Sequence, residues 1–119
     1  MKKTLVIGAS EKPERYSYKA IKALRQHGHE VVALAPRPGK VADVDFSTDP
    51  VDFQGIDTVT LYVGPQNQAG YMDYVEKLQP KRVIFNPGTE NDAFAERLEQ
   101  AGIQSEIACT LVLLSIGQY

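Results

Sequence analysis

The chain has 119 residues, 43% of them hydrophobic, a single cysteine and a formal net charge of −2. Such a chain can bury roughly two-thirds of its unfolded surface, which supplies one core, so one domain over residues 1–119 is expected. It has no sequence-wide basic field for duplex nucleic acid or an anionic membrane surface, and the lone Cys109 excludes an internal disulfide and a cysteine-based zinc site. The apolar run after Met1-Lys2-Lys3 is too short for a signal core or a membrane span, so the cytoplasm is the expected compartment.

Thr4-Leu5-Val6-Ile7 is a nearly continuous apolar run rich in β-branched residues and closed by Gly8, the pattern of a strand buried on both faces of a parallel sheet. After the polar segment Glu11 to Tyr16, the stretch Ser17 to His27 places Ala20, Ile21, Ala23 and Leu24 on one helical face. Ser17 stands there as the N-cap and Gly28 as the stop. A second apolar strand, Glu30 to Ala35, ends at Pro36, Pro38 and Gly39. From Arg37 to Gly55 no helical period appears beyond one short turn that Asp49-Pro50-Val51-Asp52 could begin, so the second crossover reads as abbreviated.

Asp57 to Val63 reads as a third strand, Gln66 to Leu78 as a second helix and Arg82 to Phe85 as a fourth strand. Asn91 to Ala101 forms a third helix ended by Gly102, Ile103 to Ala108 a fifth strand, and Thr110 to Gly117 a final helical segment. Strands alternating with helices make right-handed βαβ units. The expected result is a Rossmann-like three-layer α/β sandwich with five parallel strands in the order 3-2-1-4-5. In that order the winding reverses between strands one and four, and a ligand crevice opens beyond the carboxyl ends of the strands. The turns delivered there are Gly8-Ala9-Ser10, Ala35-Pro36-Arg37, Gly64-Pro65 and Asn86-Pro87-Gly88, with Cys109 after the fifth strand.

Gly8-Ala9-Ser10 keeps only the first glycine of GxGxxG, so its position supports a phosphate site more than its spelling does. A small-residue turn lets backbone N–H groups approach a pyrophosphate, and the helix after it adds a positive end; a tight turn without ligand is the alternative. The long segment Ser10 to Ser17 sets Lys12, Arg15, Tyr16 and Ser17 over that turn, where they can clamp phosphates unless Glu11 and Glu14 neutralise the cations.

An NAD site places Asp or Glu after the second strand, to hold the ribose 2′-hydroxyl. Ala35-Pro36-Arg37 stands in its place, which disfavours NAD and suits an adenine ribose with an extra phosphate, as in NADP or coenzyme A. Strand termination alone also accounts for Pro36 and Pro38. Across the crevice, Asn86-Pro87-Gly88 either brings backbone close to the ligand, such as a pantetheine arm, or is a turn chosen for geometry. Asn91, with Asp92 or Thr89, can cap the next helix.

Cys109 is either a small buried hydrophobe or a thiol facing the crevice. His27 and His29 flank Gly28 without a third metal ligand, and Asp43, Asp45, Asp49 and Asp52 read as solvated loop carboxylates. No GxSxG, GxxxxGK(S/T) or HExxH motif occurs, so nothing spells a catalytic or metal centre.

The segment Val6-Ile7-Gly8-Ala9-Ser10-Glu11-Lys12-Pro13-Glu14-Arg15-Tyr16-Ser17, followed by Pro36-Arg37, Asn86-Pro87-Gly88 and the late Cys109, resembles the small stand-alone CoA-binding domain family. That family is related to the nucleotide domain of the succinyl-CoA synthetase alpha subunit. The resemblance spans nearly the whole chain. It implies a Rossmann-like domain that binds coenzyme A, with Gly8, Ala9, Ser10, Lys12, Arg15 and Ser17 around the phosphates and Pro36-Arg37 near the adenosine. Two departures stand out: Ala35-Pro36 where many members read Asn-Pro, and Ile107, Ala108 and Thr110 around the cysteine where the family carries charged residues.

The expected function is therefore binding of coenzyme A at the carboxyl ends of strands one, two and four, without a catalytic centre. The alternatives are an NADP-binding or acyl-transfer accessory subunit that needs a partner chain, and a thiol-state sensor in which Cys109 forms a mixed disulfide with coenzyme A. The tail Leu111-Val112-Leu113-Leu114-Ser115-Ile116 is more apolar than one face of a short helix requires, so it either contacts a second copy in a homodimer or enters the core.

Overall fold

The computed structural model describes residues Met1 to Tyr119. One sheet contains β1 (Thr4–Ile7), β2 (Val31–Leu34), β3 (Lys40–Val41), β4 (Val44–Ser47), β5 (Thr58–Leu61), β6 (Arg82–Phe85) and β7 (Gln104–Ile107). Their order is β3-β4-β2-β1-β5-β6-β7, and every neighbouring pair is parallel except the β3–β4 hairpin. Helices α1 (Tyr16–Gln26) and α4 (Thr110–Ser115) cover one face, and α2 (Ala69–Leu78) and α3 (Asp92–Gln100) the other, giving a Rossmann-like α/β arrangement.

The two faces follow from strand alternation. Leu5, Ile7, Val59, Leu61, Val83 and Phe85 meet Val75 of α2 and Phe94 and Leu98 of α3. Val6, Val31 and Ala33 meet Ile21 and Leu24 of α1 and Leu114 of α4. Each fully buried Leu, Ile or Phe contributes roughly 1.5–3 kcal/mol by leaving water. β1, β5 and β6 are buried along their whole length, which accounts for the apolar runs Leu5-Val6-Ile7 and Val83-Ile84-Phe85. The one buried cation of the sheet, Arg82, donates to Thr58 Oγ1 at 3.0 Å, to Glu106 at 3.3 Å and to the Tyr119 carbonyl at 3.1 Å, so its charge is paired. Of the apolar tail, Leu114 enters the core while Val112 and Ile116 stay exposed. No helix is long and apolar enough to cross a membrane.

The wholly parallel five-stranded sheet in the order 3-2-1-4-5 does not form. Residues 40–47, expected as an abbreviated crossover, make the β3–β4 hairpin, and β4 pairs in parallel with β2 through Ala33–Phe46 and Leu34–Ser47. The outer edge of β2 is thereby occupied. The third expected strand, now β5, lies instead on the other side of β1, with Thr4 opposite Thr58 and Ile7 opposite Leu61. Winding reverses between β1 and β5, not between β1 and β6.

Three local expectations also change. Helix α1 begins at Tyr16 with Arg15 as its N-cap and no side-chain cap, so Ser17 is a buried first-turn residue and not the cap. No helical turn forms at Asp49–Asp52, and α2 is preceded by a separate 3-10 turn, Pro65–Asn67. Asn91 does cap α3, its Oδ1 accepting from Phe94 N at 3.1 Å.

Candidate functional site

Because the chain leaves β1 and β5 toward opposite sides, their carboxyl ends are not bridged by a connection. A cleft of about 1040 Å³ opens there, at the top of the range of roughly 300–1,000 Å³ common for small-molecule sites. After β1 it is lined by Gly8, Ala9, Ser10, Lys12, Glu14, Arg15, Tyr16 and Ser17, and after β2 by Pro36. After β5 come Tyr62, Val63, Gly64, Asn67 and Tyr71, and after β6 Pro87, Gly88 and Thr89. Of the turns expected there, Ala35, Arg37, Pro65 and Asn86 stand outside the lining, as does Cys109.

The β1 side carries the donors. Gly8 has φ +93°, and a Cβ there would lie 2.9 Å from the Tyr62 carbonyl oxygen, so glycine lets the ends of β1 and β5 approach. The N–H groups of Gly8 and Ala9 both donate to Leu34 O, at 3.0 and 3.2 Å, so they serve the sheet and are not free for an anion. Amides without an acceptor lie further on, among them those of Ser10 and, in the first turn of α1, Tyr16, Ser17 and Tyr18. That turn has neither a side-chain cap nor an acidic residue, which leaves its positive end uncompensated. Helix α3 is the contrast, with Asn91 capping it and Asp92 in its first turn.

The loop charges do not cancel as their alternation suggests. Glu11 turns away to accept from Lys40 N at 2.9 Å, while Lys12 and Arg15 are exposed and form no salt bridge. Two cations and the single carboxylate of Glu14 therefore face the cleft, beside the free amides. Opposed to a phosphate, these groups supply charge-assisted hydrogen bonds, the stronger class.

The far side is built differently. Asn86 is buried and braces three elements. Its Nδ2 donates to Thr60 Oγ1 at 2.6 Å and Leu61 O at 2.8 Å, and its Oδ1 accepts from Thr110 N at 2.9 Å. It therefore supports the turn from beneath. Cys109 is the N-cap residue of α4 and is half-buried outside the lining. Tyr62 lines the cleft, but its buried hydroxyl has no hydrogen-bond partner, and the nearby Thr60 and Thr110 hydroxyls bond one another at 2.8 Å. Burial pushes its pKa up to about 12, with the neighbouring Thr110 and Thr60 hydroxyls opposing the shift.

Sequence reasoning missed Tyr62, Val63, Asn67 and Tyr71 as lining residues and read Thr89 only as a cap. The usable signal was the Gly64-Pro65 turn, which reaches the switch point only when β5 is beside β1. No group of three or more His, Cys, Asp or Glu is arranged to hold a metal ion.

A family model described as a CoA binding domain matches residues 2–115. Among solved structures, that of an uncharacterized protein is 46% identical with a TM-score of 0.98, covering 100% of this chain and 98% of its own. A hypothetical protein from Pyrococcus horikoshii OT3 is 28% identical with a TM-score of 0.83, over 93% of this chain and 80% of its own. The dinucleotide-forming acetyl-coenzyme A synthetase 1 of Ca. Korarchaeum cryptofilum, solved with phosphate and ADP, is 16% identical with a TM-score of 0.73. The match covers 92% of this chain but 26% of that one, a likeness of fold alone. No curated protein matches the chain.

Proposed function

The chain belongs to the CoA-binding domain family, and we propose on that premise that it binds coenzyme A in the cleft over β1 and β5. The diphosphate sits over the Ser10 amide and the uncapped start of α1, with Lys12 and Arg15 closing on it. The adenosine and its 3′-phosphate lie toward Pro36, at the end of β2, where Ala35-Pro36-Arg37 carries no Asp or Glu. The pantetheine arm runs along the loops after β5 and β6. The observation that carries this reading is the pairing of two unpartnered cations with an uncompensated helix start in one cleft.

NADP presents a comparable phosphorylated ribose and is the competing ligand. Calorimetric titration with coenzyme A, NADP and NAD tests the proposal. Saturable binding is expected with coenzyme A. Absence of heat with coenzyme A, together with saturable NADP binding, overturns it.

A further inference from the structure

The part of the cleft beyond the phosphate end is walled by Val63 and Gly64 on one loop and by Pro87, Gly88 and Thr89 on another, none of them charged. These loops leave β5 and β6, which pair with one another as far as Leu61 and Phe85, but beyond the strand ends no backbone hydrogen bond links Val63 and Gly64 to Pro87, Gly88 and Thr89. What joins them is Gln68, whose side chain is fully buried yet absent from the lining. Its Nε2 donates to Val63 O at 2.9 Å and to Thr89 O at 2.7 Å, which fixes the amide orientation, since two carbonyls demand the NH2 group. Its Oε1 accepts from Asn91 Nδ2 at 3.1 Å, and Asn91 is held in turn as the cap of α3. Thr89 extends the chain of bonds, its Oγ1 donating to Asn86 O at 2.8 Å.

We infer that Gln68 is a positioning residue, setting the spacing of the two loops so that a neutral, amide-bearing ligand arm fits between them. The inference rests on the coenzyme A reading, in which pantetheine is that arm. A buried amide that satisfies two carbonyls from separate loops holds them at one separation, and an apolar replacement leaves both unbonded and free to part. The phosphate end does not depend on this strut, because its donors belong to the β1 loop and α1.

The test compares coenzyme A with adenosine 3′,5′-bisphosphate, which lacks the arm, by calorimetry on the full chain. Gln68→Ala is expected to weaken coenzyme A about tenfold and to leave the bisphosphate unchanged. Asn91→Asp keeps an oxygen for Phe94 N but removes the amide that donates to Gln68. It provides the same comparison if Gln68→Ala does not fold, with an expected loss of about threefold for coenzyme A alone. Unchanged coenzyme A affinity in a folded variant overturns the inference, and so does equal weakening of both ligands. Failure of the unmodified chain to bind coenzyme A refutes instead the reading on which the inference stands.

Discussion

Replacing Gly8 by alanine puts a methyl group where the end of β1 meets the end of β5. Two costs arise. The backbone there has φ +93°, where an L-residue pays roughly 1–2 kcal/mol. The new Cβ would also lie 2.9 Å from Tyr62 O, 3.0 Å from Tyr62 C and 3.0 Å from Val63 Cγ2. Two of those three atoms are backbone of a buried strand end and cannot rotate away, so overpacking adds roughly 1–3 kcal/mol. Gly88 is the internal control, because it has φ +91° but nothing within 4 Å of its virtual Cβ. Gly88→Ala therefore carries only the conformational cost. In urea unfolding with an unchanged slope, Gly8→Ala is expected to lose about 2–5 kcal/mol and Gly88→Ala about 1–2 kcal/mol. Equal losses in the two variants would refute the claim that the contact between β1 and β5 demands glycine at the switch point.

Lys12→Ala and Arg15→Ala are each expected to weaken coenzyme A roughly tenfold and to lower the salt dependence of binding. Their unfolding midpoints should stay put, since both side chains are exposed and without ion pairs; a shifted midpoint with unchanged affinity counts against the phosphate clamp. Tyr62→Phe removes a buried hydroxyl that has no partner, so stability at neutral pH should hold within about 1 kcal/mol or rise. Its pKa lies at about 12 in the fold against the ordinary 10, so the unfolded chain loses its proton first as pH rises. Stability is unaffected by this group below pH 10 and falls by roughly 3 kcal/mol between pH 10 and about 12, a decline that Tyr62→Phe does not share. Parallel alkaline declines in the two proteins, followed by denaturant unfolding, would contradict this.

The central strands were legible because burial on both faces leaves an unbroken apolar run, as in Val83-Ile84-Phe85 and Thr4-Leu5-Val6-Ile7. The hairpin of residues 40–47 was not. Its turn passes through Ala42 at φ 54°, a residue that carries none of the glycine or asparagine signature by which hairpins are recognised. Val44-Asp45-Phe46 does alternate apolar and polar, but so short a segment beside two prolines competes poorly with a reading as loop. The β1 side of the cleft was readable as a contiguous stretch, Gly8 to Ser17. Its donors were less so, because only the strand pairing reveals that Leu34 O consumes the amides of Gly8 and Ala9.

The amino-acid sequence by itself determined the alternation of strands and helices, the small-residue turn after the first strand and the loop that carries Lys12 and Arg15. These are properties of short segments, written in periodicity and turn chemistry. Tertiary structure alone decided that β5 lies beside β1, that Tyr62, Asn67 and Tyr71 join the cleft, and that Gln68 ties its two far loops together. An apolar strand will pair with any free neighbouring edge, and which edge is free depends on where the rest of the chain lies: here β4 occupies the edge of β2.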